Sequence, residues 1–422
     1  MKKVLEKVLA SLAQRIINKY KPKIVGITGS MGKTSAKEAV YAVLKSKFNT
    51  RKNIKNYNNE LGVPLSIIGH ESGGRSLIKW LMVFLKAFRT IFLTDENYPE
   101  VLVLEMGADK PGDIEYLVKC FPCDVGVVTR VGPAHLEAFK TVENIAKEKQ
   151  KIVTLLDKDK LAVLNYDDEL VKVMAEKVKC DVMYFGYDEN ADIYSIDLKH
   201  HGEGLGIKGI GFKIAKGGSA VPVLLPGVVG EHQINSALIA ATVGLGMGMN
   251  LLEITQALKE YKAPRGRMSL VTGKSCLIID DTYNSSPKAA FAAVEAVSKL
   301  NIDQVARKVA VMGDMLELGD MNDEAHVELG KKIAEAGFDL LIVAGLNKEL
   351  TAKGAKENGL ENILKFDDSV KVASEIENII KQNDLVLVKG SQGSRMERVV
   401  KVLMKDSDRA GELLVRQDKS WK

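Results

Sequence analysis

The chain has 422 residues, of which 46% are hydrophobic and 27% charged, and its formal net charge is +5. This is the composition of an ordinary globular protein of two or three domains, and the interspersed charges give no indication of nucleic-acid binding. Four cysteines in so long a chain exclude a disulfide scaffold and favour a reducing compartment, so a cytoplasmic location is expected.

Residues 1–22 are predicted to form one amphipathic helix that leads into a strand. The apolar side chains recur at helical spacing. Charged residues interrupt every apolar run of this segment, so it does not have the pattern of a signal peptide.

A second predicted helix, Ser76–Leu93, is strongly apolar but contains Lys79, Lys86 and Arg89. A helix that spans a membrane needs about 20 apolar residues with few charges, so this segment is not predicted to span one. The three cations fall roughly on one face of the helix. Two interpretations stay open: a helix packed on its domain, or a basic amphipathic helix that rests on a membrane surface or a protein partner.

Short apolar runs rich in β-branched residues alternate with helical patterns along the chain. The predicted strands are Lys23–Thr28, Val101–Glu105, Val125–Thr129, Leu161–Asn165, Leu277–Asp281, Val309–Gly313, Leu340–Ala344 and Leu385–Lys389. Several are apolar on both faces, as strands of a covered parallel sheet are. The sequence therefore predicts an α/β fold with helices on both sides of a mostly parallel sheet.

Two segments between these strands differ from the rest. Asp181–Val229 is rich in glycine and alternates more regularly, which predicts a small antiparallel excursion, and a helix is expected from about Gly230 to Met249. Ala263–Arg267 is a short Pro/Gly-containing stretch between two α/β blocks. We therefore predict an N-terminal helix over residues 1–22, a central domain over 23–262 and a second domain over 263–422.

The strongest chemical signal is the sequence TGSMGKTS, Thr28–Ser35, between a strand and a helical pattern. Glycines let the backbone turn tightly and direct N–H groups at phosphate oxygens, and the helix N-terminus adds positive potential. Lys33 would reach the outer phosphates, and Thr34 or Ser35 would offer a hydroxyl to Mg²⁺. The first glycine of a strict GxxxxGK[ST] pattern would fall on Ile27, so the general pattern is matched only in part.

Three further residues are candidates with less support from the pattern. Glu105 ends a strand where open α/β sheets bind ligands, and it is predicted either to hold a metal or to be a solvated acid. His135 follows a Gly-Pro turn beyond the next strand. It would share a site with Glu105, or it would be a capping or buried histidine. Lys149 lies in a charged helical stretch and, by pattern alone, is a solvated lysine.

The second block offers polar strand ends as well. Asp281-Thr282-Tyr283-Asn284 follows the strand LIID, and Lys389-Gly390-Ser391 closes the strand LVLVK. These groups would face a nucleotide, or in the first case form an Asx-type turn.

Taken together in order, these motifs resemble the Mur ligase family. TGSMGKTS is similar to the nucleotide loop of that family. The other similar motifs are NNELGVP (Asn58–Pro64), EMGA (Glu105–Ala108), GPAHLE (Gly132–Glu137), GEHQINSA around His232, DDTYNSSP (Asp280–Pro287), GDMLELG (Gly313–Gly319) and KGS with Arg395. They are closest to the branch that adds D-alanyl-D-alanine to a peptidoglycan precursor. The resemblance implies a P-loop-type central domain and a Rossmann-like C-terminal domain.

The resemblance also implies residue roles. ATP would be bound by Thr28, Gly29, Ser30, Gly32, Lys33, Thr34, Ser35, His232, Asn235, Arg267, Asp281, Tyr283 and Asn284. Mg²⁺ would be held by Thr34, Glu105, His135 and Lys149, the last as a carbamylated lysine. Lys33, His135 and Lys149 would be catalytic, and Asn58, Asn59, Lys389, Ser391 and Arg395 would contact substrate.

The implied activity is an ATP-dependent amide ligase that forms an acyl phosphate and transfers it to the amine of D-alanyl-D-alanine, another dipeptide or an amino acid. Such ligases usually carry a UDP-binding domain before the nucleotide loop, and only one helix precedes it here, so the chain is expected to lack that domain. A related ligase with a non-UDP acid substrate, such as a folate-type enzyme, and a non-catalytic nucleotide-binding scaffold are the alternatives. Small-molecule substrates and a monomer are expected.

Overall fold

The structure is a computed structural model that describes residues 2–54, 57–133, 136–203, 206–300, 302, 304–418 and 421. The chain divides into two compact units. The first comprises Met1–Leu198, Phe212–Leu224 and Ile234–Tyr261, and the second comprises Lys199–Gly211, Leu225–Gln233 and Lys262–Lys422. These units are defined by contacts, and the predicted domain bounds stay a prediction.

Fifteen strands and seventeen α-helices follow one another along the described residues. The strands are β1 (Lys23–Thr28), β2 (Thr50–Lys52), β3 (Val101–Glu105), β4 (Val125–Val128), β5 (Leu161–Asn165), β6 (Asp181–Gly186), β7 (Ile193–Glu203), β8 (Gly206–Lys216), β9 (Ser219–Pro226), β10 (Ser269–Thr272), β11 (Leu277–Asp281), β12 (Arg307–Gly313), β13 (Leu340–Ala344), β14 (Ile363–Phe366) and β15 (Asp384–Lys389).

The α-helices are α1 (Lys2–Tyr20), α2 (Lys33–Leu44), α3 (Gly62–Ile68), α4 (Leu77–Phe92), α5 (Asp113–Cys120), α6 (Leu136–Phe139), α7 (Val142–Lys149), α8 (Lys151–Thr154), α9 (Glu169–Lys172), α10 (His232–Gly246), α11 (Leu251–Leu258), α12 (Pro287–Ser298), α13 (Asn322–Glu335), α14 (Lys348–Glu357), α15 (Ser369–Ile379), α16 (Glu397–Leu403) and α17 (Ala410–Leu413).

The larger sheet has nine strands in the order β2-β3-β1-β4-β5-β6-β7-β8-β9. Every pair from β2 to β7 is parallel, and β1 lies between β3 and β4, with Ile27 beside Glu105 and Val127. Because the carboxyl ends of β1, β3 and β4 therefore meet at one edge, the loops that follow these strands lie together. Only two residues separate β7 from β8 and β8 from β9, so these neighbours run antiparallel.

The second sheet has six strands in the order β10-β11-β15-β12-β13-β14. Only β10 is antiparallel to its neighbour; the other four pairs are parallel. Two clusters of buried apolar side chains cover this sheet. The covered strands explain why β12, β13 and β15 read as nearly continuous apolar runs in the sequence.

The predicted α/β fold and all eight predicted strands are confirmed, with strand ends that differ by two residues at most. The helix expected near residues 230–249 is α10. One boundary was wrong: the glycine-rich excursion was expected to begin at Asp181, but β6 still pairs in parallel with β5. The antiparallel part begins only after β7, because the alternation typical of a half-exposed strand also occurs at the edge of a parallel sheet.

The predicted helix over Ser76–Leu93 is α4. Its buried side chains are Val83, Ala87 and Thr90, and the end of α1 caps its last turn, where Lys19 and Tyr20 donate hydrogen bonds to the carbonyls of Thr90 and Leu93. Such donors satisfy carbonyls that have no partner within the helix. No helix among the described residues is long and apolar enough to cross a membrane.

Asp280 in β11 is a buried carboxylate that is only half satisfied. Its Oδ1 accepts hydrogen bonds from the backbone and hydroxyl of Thr282, whereas Oδ2 has no hydrogen-bond partner among the described residues. Burial, with a smaller contribution from the Asp281 carboxylate, raises the pKa of Asp280 to about 6. The folded state therefore favours the neutral acid more than the unfolded chain does.

We expect Asp280→Asn to stabilise the protein at neutral pH. Because the folded pKa lies above that of the unfolded chain, the contribution of Asp280 is fully present below about pH 4 and is lost as the pH rises through about 6, at a cost of about 2–3 kcal/mol. Denaturant midpoints of the variant and the wild type should therefore diverge between about pH 4 and about pH 6.5, and their difference should stay constant at higher pH.

A matched control is Asp384→Asn, since that buried carboxylate is paired with Arg307 at 2.6 Å. It should destabilise the protein at both pH values. Equal midpoints of Asp280→Asn and the wild type at neutral pH would contradict the prediction.

Candidate active site

The sequence TGSMGKTS forms a tight turn from the end of β1 into α2. Gly29 and Gly32 have φ angles of +150° and +83°, which side-chain-bearing residues rarely adopt. Lys33 begins α2, so the free N–H groups of the first helical turn face the loop. This is the geometry predicted for a phosphate-binding loop.

The turn is held against the end of β4. A Cβ atom on Gly29 would lie 1.9 Å from Oγ1 of Thr129, so any side chain there would collide with it. Thr129 donates a hydrogen bond of 2.6 Å to the carbonyl of Met31, and Ser30 exchanges hydrogen bonds with Gly132. Sequence reasoning missed Thr129 as an anchor, although its place at the end of a strand next to the loop was a usable signal.

The polar groups of the loop differ in what they contact. The Lys33 ammonium lies 2.7 Å from the carbonyl of Gly29, close to the mouth of the turn. Thr34 is half-buried and Ser35 is buried at the start of α2. The buried hydroxyl of Thr28 donates to the carbonyl of Met106, so its side chain joins β1 to the end of β3, and only its backbone borders the loop.

Glu105 lies at the carboxyl end of β3, beside the loop. Its side chain is 4% exposed; Oε1 accepts a hydrogen bond of 3.0 Å from Asn58, and Oε2 has no hydrogen-bond partner among the described residues. Asn53 binds the backbone of Glu105 on both sides, at N and O. The interpretation of Glu105 as a solvated acid was therefore wrong.

Lys37 lies one turn after Lys33 on α2 and was not singled out by the sequence. Its side chain is 2% exposed, and its ammonium lies 3.8 Å from Oε2 of Glu105 and 3.6 Å from Glu38. Its spacing of four residues from Lys33 places both cations on the same face of the helix, which could have revealed it.

Lys149 ends α7 and is also buried, so the interpretation as a solvated lysine was wrong. Burial, and then the nearby charge of Lys33, lower the pKa of Lys149 to about 7, against opposing effects of Glu148 and Asp109. Glu148 accepts hydrogen bonds from the backbone of Gly112 and Ile114, which ties α7 to the start of α5. The charge of Lys33 thus acts on Lys149, and the metal-binding role that the resemblance implies for Lys149 stays a prediction.

A divalent cation fits this edge of the sheet through Glu105. A buried carboxylate oxygen without a hydrogen-bond donor is a natural ligand, and Mg²⁺ usually takes one or two carboxylates together with hydroxyl and phosphate oxygens. Among the described residues, no group of three His, Cys, Asp or Glu side chains could hold a metal by itself. His135, another predicted ligand, lies outside the described residues.

Asn58 and Asn59, predicted to contact substrate, both have partners inside the first unit. Asn58 donates to Glu105, as described above. Asn59 accepts hydrogen bonds from the backbone of Leu61 and Gly62, at the start of α3. Any contact of these amides with substrate stays a prediction.

The second unit gathers its predicted residues around the neighbouring strand ends of β11 and β15. Asp281 and Lys389 are paired in register, and their side chains form an ion pair of 2.5 Å. The Lys389 ammonium also donates to the carbonyl of Asn284, and Ser391 donates to that of Ser285. The DDTYNSSP and KGS motifs therefore form one hydrogen-bonded cluster.

Arg267 stacks on this cluster. Its guanidinium lies 4.1 Å from the centre of the Tyr283 ring, and its backbone carbonyl lies 3.3 Å from the amide nitrogen of Gln233. The same nitrogen lies 3.2 Å from Nε2 of His232, which is exposed at the start of α10. Asn235, in the first turn of that helix, has a buried side-chain oxygen without a hydrogen-bond partner in the described part of the chain.

Arg395 borders a cavity of the second unit. It lines this cavity of about 260 Å³ together with Asp314, Leu346, Asp368, Ser394 and Arg398. Its guanidinium is bonded to Glu397 at 2.6 Å and to the carbonyl of Trp421. Asp367 also lines this cavity, so three aspartates and two arginines give it charges of both signs.

Comparison with known proteins gives consistent results. Residues 85–244 match the family model of the Mur ligase middle domain, and residues 266–392 match that of the Mur ligase, glutamate ligase domain. The chain is 28% identical to the UDP-N-acetylmuramoyl-tripeptide--D-alanyl-D-alanine ligase of Bacillus subtilis, over 94% of this chain and 79% of that protein.

Solved structures extend the comparison. The crystal structure of MurF ligase from Thermotoga maritima, in complex with ADP, is 30% identical, with a TM-score of 0.75 over 96% of this chain and 84% of that chain. That of MurF from Acinetobacter baumannii is 26% identical, with a TM-score of 0.79 over 95% and 81% of the two chains.

The chain belongs to the Mur ligase family. The predicted family, the fold class and the class of enzyme, an ATP-dependent ligase that forms carbon–nitrogen bonds, are therefore confirmed. Mur ligases use ATP and Mg²⁺. The roles of the individual residues in this Mur ligase stay predictions.

We expect Gly29→Ala to abolish most of the affinity for ATP. The methyl group would push the loop away from Thr129 and displace the N–H groups that face the phosphates, which should cost about tenfold or more in the dissociation constant. Calorimetric titration with ATP measures this change.

Gly217→Ala is the matched control. Gly217 has a φ of +52° with no atom near its would-be Cβ, so the substitution costs about 1 kcal/mol of backbone strain and should leave ATP affinity unchanged. If Gly29→Ala binds ATP as the wild type does, the loop is not the phosphate site.

Proposed function

We propose that this Mur ligase joins D-alanyl-D-alanine to the peptide of a peptidoglycan precursor at the expense of ATP. The proposal rests on the buried carboxylate of Glu105, of which one oxygen has no hydrogen-bond partner among the described residues. It lies at the edge of the sheet that also carries the glycine-bordered turn and Lys33, Lys37 and Lys149. The similarity to named D-alanyl-D-alanine ligases, over 94% of the chain, supports this choice of substrates.

In the first step, an oxygen of the precursor's carboxylate forms a bond to the γ-phosphorus of ATP. The bond from that phosphorus to the bridging oxygen breaks, ADP leaves with the electron pair, and an acyl phosphate results. Lys33 and the N–H groups at the start of α2 would hold the phosphoryl oxygens in line for this transfer. Catalysis of this kind depends on positioning and on stabilisation of charge.

In the second step, the amine of the dipeptide attacks the acyl carbon. The tetrahedral intermediate collapses with loss of phosphate and of the amine proton, and an amide remains. When bound, Mg²⁺ neutralises phosphate charge; Glu105 and the Thr34 hydroxyl would hold it. Asn58 and Lys37 would hold the Glu105 carboxylate in place.

We also propose that Lys149 is carbamylated. Carbon dioxide reacts only with a neutral amine, and an amine with a pKa of about 7 is largely neutral at physiological pH. The nitrogen of the neutral amine bonds to the carbon of carbon dioxide and releases a proton, so an uncharged buried group beside Lys33 becomes an anion. The Lys33 ammonium then attracts the carbamate, whereas it disfavours the protonated form of Lys149.

The second unit would supply the remaining contacts. Arg267 and Tyr283 present a stacked cationic and aromatic surface suited to a nucleotide, and the Asp281–Lys389 pair fixes the turn that carries Asn284. Arg395 and its cavity would take the carboxylate of the dipeptide. We further propose a monomeric, cytoplasmic enzyme with small-molecule substrates.

Phosphate release by the purified protein tests the reaction. With ATP, Mg²⁺ and a muramoyl-tripeptide, release should depend on D-alanyl-D-alanine and not occur with L-alanyl-L-alanine. Glu105→Gln should lower the rate by about 10²–10³-fold, because charge stabilisation at the phosphates is lost. The same assay with the tripeptide alone and with its UDP-linked form shows which acid is used; release with glutamate and a folate acceptor only would refute the proposal.

Carbamylation is tested by ¹³C NMR in ¹³C-labelled bicarbonate. A carbamate signal is expected in the wild type and not in Lys149→Arg, because a guanidinium stays charged. At constant dissolved carbon dioxide, the signal should grow from about pH 6 to about pH 8, as the amine loses its proton. Lys47→Arg, at an exposed position, is the control and should keep the signal.

A further inference from the structure

Helix α4 presents three faces with different chemistry. At 100° per residue, its buried residues Val83, Ala87 and Thr90 fall on one side. The opposite side carries exposed apolar side chains, and the boundary between the two carries cations. The exposed apolar residues are Leu77, Ile78, Leu81, Met82, Leu85, Phe88 and Phe92.

This exposure is concentrated. The stretch Leu77–Leu93 holds eight of the 21 large apolar side chains that are exposed among the described residues. Leu77 is 85% exposed, and Ile78 and Phe92 are each 73% exposed. Single exposed apolar residues are ordinary, but a contiguous apolar stripe of this length marks an interaction surface.

The charges around the stripe have one sign. Arg75, Lys79, Lys86 and Arg89 lie in or next to the helix, and no aspartate or glutamate occurs from Ser72 to Thr94. On the helical projection the three cations within the helix, Lys79, Lys86 and Arg89, fall within one arc that adjoins the apolar stripe. Lys86 lies 4.0 Å from Asp95, which is too far and too exposed to cancel its charge.

We propose that α4 docks this protein on an anionic membrane surface. A helix that combines an exposed stripe of leucine and phenylalanine with flanking cations lies in the plane of a bilayer, its apolar side among the acyl chains and its cations at the headgroups. A second copy of the chain is a poorer occupant, because a symmetric contact would bring the same cations together. The proposal does not depend on the identity of the ligase substrate.

The packing of the helix suits this role. Its small buried residues seat it on the first unit, and Lys19 and Tyr20 of α1 secure its last turn. The rings of Phe88 and Phe92 stack at 6.2 Å within the apolar stripe. A rigid helix presents the stripe already formed, so binding costs little conformational entropy.

Co-sedimentation of the full chain with vesicles tests the proposal. Vesicles of phosphatidylcholine with phosphatidylglycerol should bind the protein, and vesicles of phosphatidylcholine alone should bind it much more weakly. Replacing Lys79 and Arg89 together with glutamine should weaken binding by about fivefold for each cation removed. Higher salt should weaken it in the same direction.

The apolar stripe is tested by Leu81→Gln combined with Leu85→Gln, which should lower binding by at least about tenfold. Leu252→Gln is the matched control, because Leu252 is equally exposed but lies on α11. An unchanged circular dichroism spectrum and melting midpoint show that each variant is folded. The proposal is overturned if the wild type binds neither vesicle, or if the Leu81/Leu85 variant binds as well as the wild type. It is also overturned if the wild type forms a dimer that competes with vesicle binding and the Leu81/Leu85 variant is a monomer. The stripe is then an interface between two copies.

Discussion

The close approach of the β1–α2 turn to the end of β4 is the constraint on which the site in the first unit depends. Gly29 leaves no room for a side chain beside Thr129, and the hydroxyl of Thr129 holds the carbonyl of Met31. The turn is thereby held in the position from which the first N–H groups of α2 face outward. The hydrogen bonds between Ser30 and Gly132 extend the same contact to the segment that follows β4. The parallel order of β3, β1 and β4 then places Glu105 beside the turn, although it is far from the turn in the sequence.

The electrostatics of this edge are unusual for a protein interior. Lys37 and Lys149 are buried, Lys33 is half-buried at the start of α2, and Oε2 of Glu105 has no hydrogen-bond donor among the described residues. Buried charges that lack full partners cost free energy, and proteins tolerate them mainly where they work on a ligand. Asn53 binds the backbone of Glu105 and Asn58 donates to its carboxylate, so the side chain is held in one orientation although its charge is only partly compensated.

The second unit shows a different solution to the same problem. There Lys389 and Asp281 are paired across adjacent strands, and the pair braces the turn that carries Tyr283 and Asn284. Asp280, the neighbour of Asp281, is turned into the core and favours the neutral acid. Two consecutive aspartates thus have opposite environments, because successive side chains of a strand point to opposite faces of the sheet.

The sequence alone determined the α/β class, eight of the strands in the two mostly parallel sheets and the turn at Thr28–Ser35. Continuous β-branched runs and a glycine-bordered loop before a helix are local patterns, and they report local structure. The sequence did not determine the surroundings of Lys149, because its charged neighbours are typical of a solvent-exposed helix. It also did not determine the partners of Glu105 or the importance of Thr129 and Lys37. These depend on which strands are adjacent and on which helix face is covered, and residues far apart in the chain decide both. For α4, too, the sequence showed an apolar helix with cations, but only the tertiary structure decided which face is buried, because α1 and α3 cover the side with the small residues.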